Sequence, residues 1–172
     1  MANKNTIEKI ITFLMFMFFS IWLGSYIVRN LLIFQFFEPE NLSLRNELKN
    51  FDLSPVYYVI YPLIVTNLVS FLSFFIIFLI FIIITKIKLK ENGWLLIIAF
   101  LIFITAPFEI YLLFKDYKII MLIVDNFVNN SSQVLYLLKE RMTLLNSFSL
   151  IEIFAYIFVI ALTIFKPLQK KK

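Results

Sequence analysis

From Val56 to Thr85 the chain runs for thirty residues without a charged side chain. A helix that is apolar all round has no face for water, so it belongs inside a large core or across a bilayer. About twenty apolar residues cross the hydrocarbon, so this stretch is longer than a crossing requires. Its Tyr57, Tyr58, Tyr61 and Pro62 end is expected among the headgroups. Ser54-Pro55 predicts its start, as an N-cap followed by proline at the first helical position.

Three further runs reach spanning length: about 10–37, resuming beyond Arg29 and Asn30; 94–114, after Gly93; and about 148–165, stopped by Lys166-Pro167. Hydrophobic residues make up 62% of the chain and charged ones 16%, against about 45–50% and about 25% in soluble domains. The expected fold is all-α: a polytopic four-transmembrane-helix bundle forming one membrane domain over residues 1–172. Lys4 and Lys9 precede the first run without a small-x-small cleavage pattern after it, which predicts an uncleaved first span.

Between the first two spans, Leu44, Leu48 and Phe51 recur at helical spacing among charges, which predicts a short interfacial helix. Between the last two, Lys115 to Ser147 reads as a longer connection. Val134, Leu138, Met142 and Leu145 line one face of its second half, predicting a helical extension before the last span. Ile119–Val128 is too short to cross alone. Lys and Arg number nine on the side of the termini and seven on the other. Lys86, Lys88 and Lys90 are tightly spaced and Lys170–Lys172 form a dense tail, which predicts cytoplasmic termini in a bacterial cytoplasmic membrane.

The sequence contains no cysteine and no histidine. Disulfides, thiol nucleophiles and the usual zinc, copper and haem ligand sets are therefore absent. The two glycines are isolated, so no phosphate-cradling loop can form. The net charge of +5 comes from lysines flanking apolar runs, a pattern of lipid contact rather than of nucleic-acid binding. No cofactor, no metal and no enzymatic activity are expected. The expected partners are membrane lipids and other membrane subunits, or further copies of the chain.

The informative residues are the polar ones within spans. Arg29 lies near the exit of the first, Glu109 near the exit of the third and Glu152 one turn into the fourth. Four antiparallel helices bring these three to one side of the membrane, where Arg29 is expected to pair with Glu152 or Glu109. Charges in spans face the bundle interior and mark either a structural clasp or a proton or solute site. Asn67 is deeper, about 16 Å along the helix from Val56, and is expected to hydrogen-bond another helix. Pro107 frees a carbonyl just before Glu109 and is a candidate kink. In SIWLGSYIVRN, Ser20 and Gly24 form a small-xxx-small notch for close helix packing. Trp22 is a packing anchor, and Ser25 and Arg29 form a polar edge.

IWLGSYIV followed by LLIFQFFEP, the proline of APFEIYLL, and YLLKERMTLLNSFSLIEIF leading into the last span together resemble a known family. It comprises small four-span membrane proteins of unknown function related to transmembrane protein 205. The resemblance implies a four-helix architecture. Many members carry a histidine before the Leu-Asn step, whereas this chain has Lys139, Glu140 and Arg141 there. The leading expectation is a non-enzymatic helix-packing protein, a homo-oligomer or accessory subunit. The alternative is a transporter or channel for protons or a small solute using Arg29, Glu109, Glu152 and Asn67. A lipid-modifying enzyme is a third class, with the Arg29 region its one candidate place.

Overall fold

A computed structural model describes residues 2–85, 92–126, 131–144 and 148–168. Five α-helices follow one another: α1 (Ala2–Phe34), α2 (Ser54–Thr85), α3 (Gly93–Asn126), α4 (Ser131–Leu144) and α5 (Phe148–Phe165). α1 contacts α2 and α5, and α3 contacts α2 and α5, so these four close a ring; α4 packs against α3. Among the described residues, four helices are long and apolar enough to cross a membrane. Their outer faces carry bare Phe13, Ile83, Phe100 and Phe154, an apolar surface that water would not tolerate at this extent. The chain is a multi-pass membrane protein.

The first helix starts earlier and ends sooner than the apolar run implied. It closes at Phe34 through three short turn bonds, from the Gln35, Phe36 and Phe37 amides to the Leu32, Ile33 and Phe34 carbonyls. Phe37 then pairs with Leu44 in an isolated antiparallel bridge, with Leu42 turning the chain at φ 50°. The expected interfacial helix is a single 3-10 turn, Asn46–Leu48. Leu44 and Leu48 rest on the core while Phe51 points out. α2 opens at Ser54, the expected cap itself, one residue before the expected first helical position. The Leu53 carbonyl accepts the Val56 and Tyr57 amides, and the Asp52 carboxylate accepts the Ser54 N–H at 2.9 Å. Hydrogen bonding from the Ser54 side chain, and then from this N–H, holds the exposed Asp52 carboxyl below the usual carboxylate range.

The largest departure is in α3, which continues through Lys115 and Asp116 to Asn126 rather than ending at Phe114. Leu112, Asp116, Ile119 and Ile123 are all buried and recur at helical spacing, so one inward stripe runs across the apparent boundary. Ile119 and Ile123 belong to this helix and not to a separate span. The expected extension before the last span is α4, whose Val134, Leu138 and Arg141 are buried on one face. Leu145, Val128, the Lys86–Glu91 loop and the Lys170–Lys172 tail lie outside the described residues.

The interior holds two apolar cores. One gathers Phe19, Trp22, Phe71, Phe74, Ile102 and Tyr156 on the side of the chain termini. The other gathers Ile33, Phe37, Tyr57, Ile119, Val134 and Leu138 at the far end. Between them lies a layer of buried charge. At α3's start the Leu168 carbonyl accepts the Gly93 N–H at 3.3 Å. A Cβ on Gly93 would meet the Leu168 Cβ at 2.9 Å, so glycine is what lets the C-terminal turn sit there.

Candidate functional site: a buried charge layer

Helical spacing alone stacks the site. Along α1 the inward residues are Phe19, Trp22, Tyr26 and Arg29. Along α3 they are Ile102, Thr105, Glu109 and Asp116, and along α5, running the other way, Val159, Tyr156 and Glu152. Successive members are one to two turns apart, so side chains of like kind fall at like heights.

The charged end is a triad. Arg29 Nη1 lies 2.6 Å from Asp116 Oδ2, with both side chains shut off from solvent. Arg141 Nε, from α4, stands 2.8 Å from Asp116 Oδ1. This second contact is an ion pair lying off the hydrogen-bonding direction, for neither atom completes a hydrogen bond. One carboxylate therefore ties α1, α3 and α4 together. The expected pairing of Arg29 with Glu109 or Glu152 is replaced by Asp116, because α3 remains helical past Phe114 and carries this carboxylate inward.

Tyr26 joins the triad to the carboxyls beneath it. Its ring faces the Arg29 guanidinium at 5.4 Å and the Arg141 guanidinium at 6.0 Å. Its hydroxyl donates to Glu152 Oε2 at 2.8 Å. Glu109 is wholly buried, and neither of its oxygens has a hydrogen-bond donor among the described residues. The Glu152 carboxyl is its neighbour in the layer. Two ionised carboxylates have no hydrogen to offer each other, so the contact becomes a bond only when one of them carries a proton.

Below the carboxyls, Tyr156 and Thr105 exchange a hydroxyl–hydroxyl bond at 2.9 Å. Trp22 then packs edge-on against Tyr156, with ring centroids 4.6 Å apart. Asn67 reaches across from α2, donating to Ser25 Oγ at 3.4 Å, as its depth implied. Several polar atoms of the layer have no hydrogen-bond partner among the described residues: Arg29 Nε and Nη2, Arg141 Nη2, Trp22 Nε1, Asn67 Oδ1 and Glu152 Oε1. Unused donors and unused acceptors thus share one buried layer. Among the described residues, no group of three or more carboxylates is placed to hold a metal ion.

The structure thus brings Arg29, Glu109, Glu152 and Asn67 to the interior, with Trp22 in the aromatic core and Ser25 at the α1–α2 contact. It leaves Ser20 and Gly24 on the outer face, where a Cβ on Gly24 would meet nothing within 4 Å. No helix of the described chain enters the notch. Pro107 is exposed within an uninterrupted α3. Asp116, Arg141, Tyr26, Thr105 and Tyr156 are the members that span-by-span reading missed. Asp116 lies seven residues beyond Glu109, two turns on the same face, and that spacing was the available signal. Comparison with family models, curated proteins and solved structures finds no match.

Proposed function

We propose that this protein is a transporter or channel component for protons or a small polar solute, with Glu109 and Glu152 as the binding carboxyls. The observation that carries the reading is Glu109 itself: fully buried, beside a second carboxyl, and without a donor on either oxygen among the described residues. A structural clasp would set it against a cation, but both guanidiniums already converge on Asp116. The layer holds two guanidiniums and three carboxyls, so one proton on the Glu109–Glu152 pair makes it formally neutral. A site that balances its charge with a mobile proton can exchange that proton for a cation or couple its release to a solute.

The test combines infrared spectroscopy with flux in proteoliposomes. The reading expects a protonated-carboxyl band at neutral pH that is lost in Glu109→Gln, together with a proton leak or solute-coupled flux that Glu109→Gln and Glu152→Gln abolish while each still folds. Absence of the band would refute it. So would stability loss in both variants matching that of Arg29→Ala, which would return the cluster to a clasp.

A second reading, a non-enzymatic packing protein acting as a homo-oligomer or accessory subunit, is favoured by the open Ser20/Gly24 notch. A strictly monomeric species in mild detergent would count against it. Non-enzymatic action, a bacterial cytoplasmic membrane, cytoplasmic termini and kinship to the four-span family named above belong to the same proposal.

A further inference from the structure

At the end of the bundle opposite the triad, a cleft of 270 Å³ opens among α1, α2, α3 and α5. Its walls are Phe16, Phe78, Leu95, Ile98 and Ile160, and Phe19 and Phe74 close the floor toward Trp22. Apolar cavities of about 150 Å³ stay dry and take benzene, so this one has room for a longer hydrocarbon. It shares Thr12, Phe81, Trp94 and Lys166 with a wider mouth of 550 Å³ that adds Glu8 and Lys9.

Two polar groups at the neck are positioned for an anion. Trp94 Nε1 is buried with no acceptor among the described residues, although its ring lines the cleft. The Lys166 ammonium lies over that same ring at 5.7 Å from its centroid. Lys166 is held there by the C-terminal turn. Its N–H donates to the Leu162 carbonyl at 2.9 Å, its own φ is 43°, and Leu168 is anchored on Gly93. The described residues of the mouth carry two lysines against one glutamate.

We propose that this cleft binds one single-chain anionic amphiphile, a long-chain carboxylate, with its alkyl chain between the helices and its head on Lys166 and Trp94. The inner walls come from all four spanning helices, so the alkyl chain lies within the bundle rather than on its outer face. A carboxylate has one oxygen for the indole N–H and another for the ammonium. This site is independent of the Glu109–Glu152 reading, since the Phe19/Trp22/Phe74 floor separates the two.

The experiment titrates the full chain in nanodiscs with dibrominated stearic acid and follows quenching of tryptophan fluorescence. Stearic acid, methyl stearate and brominated phosphatidylglycerol serve as comparison ligands. Saturable quenching is expected, with displacement by stearic acid and displacement at least tenfold weaker by its methyl ester. Lys166→Gln, an exposed substitution, should weaken binding by about tenfold, the scale of one charge-assisted bond. Ile98→Phe, which fills the cleft, should abolish saturation with the helical circular dichroism unchanged. Linear quenching, equal displacement by acid and ester, indifference to both variants, or equal quenching by brominated phosphatidylglycerol would each overturn the proposal. The last would assign the cleft to bilayer lipid.

Discussion

Replacing Asp116 by leucine removes the one anion between Arg29 and Arg141, leaving two guanidiniums buried with no countercharge in contact. Breaking a buried pair by deleting one partner costs about 3–5 kcal/mol. Here one deletion orphans two cations, so the upper end of that range is expected. Against a total stability of about 5–15 kcal/mol, that is a large share. The unfolding free energy of Asp116→Leu, read by steric trapping in bicelles, should fall accordingly. The geometry also ranks the single arginine variants. Arg29→Met removes the 2.6 Å hydrogen-bonded contact, whereas Arg141→Met removes the off-axis one at 2.8 Å. Arg29→Met should therefore be the more damaging.

The decisive variant is the triple Arg29→Met, Asp116→Leu, Arg141→Met. A buried ion triad carries a desolvation penalty that its own attraction barely offsets, so replacing the whole set by apolar side chains is often neutral or stabilising. The triple variant should recover most of what Asp116→Leu alone loses. If the triple is less stable than the single, the cost of the single did not come from orphaned charge and the reasoning fails.

Four further outcomes follow from local geometry. Gly93→Ala drives a Cβ into Leu168 and loosens the C-terminal turn, costing about 1 kcal/mol for the lost bond. Gly24→Ala meets nothing and should gain up to about 1 kcal/mol of helix propensity; paired thermal melts check both, and a loss in Gly24→Ala would point to an occupied notch. Tyr26→Phe leaves Glu152 Oε2 without its donor and should cost about 1–3 kcal/mol, with Tyr26→Phe/Glu152→Leu recovering part of it in the same unfolding assay. Asp52 has a folded-state pKa below its unfolded value. Its contribution is thus present above the unfolded carboxylate pKa and lost as pH falls through the folded one. Asp52→Asn should remove that acid-side slope in a pH series of melts.

Four spans were legible because bilayer length is a strong constraint: outside a large core, only a bilayer accepts the uncharged run from Val56 to Thr85. The end of α3 was not, because hydropathy counts Lys115 and Asp116 as a boundary. In the fold Asp116 is neutralised from α1 and α4 while the half-buried Lys115 reaches Glu140 on α4 at 2.7 Å. Charges that find partners on other helices do not end a helix, and those partners are set by tertiary packing, which no window of sequence contains. The same cause explains the site. Arg29, Glu109 and Glu152 were visible as ionisable residues in spans, but which carboxylate met Arg29 depended on the extra turns of α3.

The order of the layers bears on mechanism. The carboxyl pair lies between the aromatic floor, built from α1, α2 and α5, and the Arg29–Asp116–Arg141 triad, built from α1, α3 and α4. Glu109 is fully buried between these closures. Opening on the triad side separates Arg29 from Asp116 and puts two guanidiniums near the carboxyl pair without their anion, which favours release of a shared proton there. Opening on the aromatic side disturbs only rings and the Thr105–Tyr156 bond and leaves the charge balance intact. The two closures are therefore unequal. Under the proposed proton exchange, release coupled to the triad side and uptake from the cleft side is the direction that this asymmetry favours. Asp116→Asn, which cancels the charge change on opening, should erase that directional preference in proteoliposomes of fixed orientation.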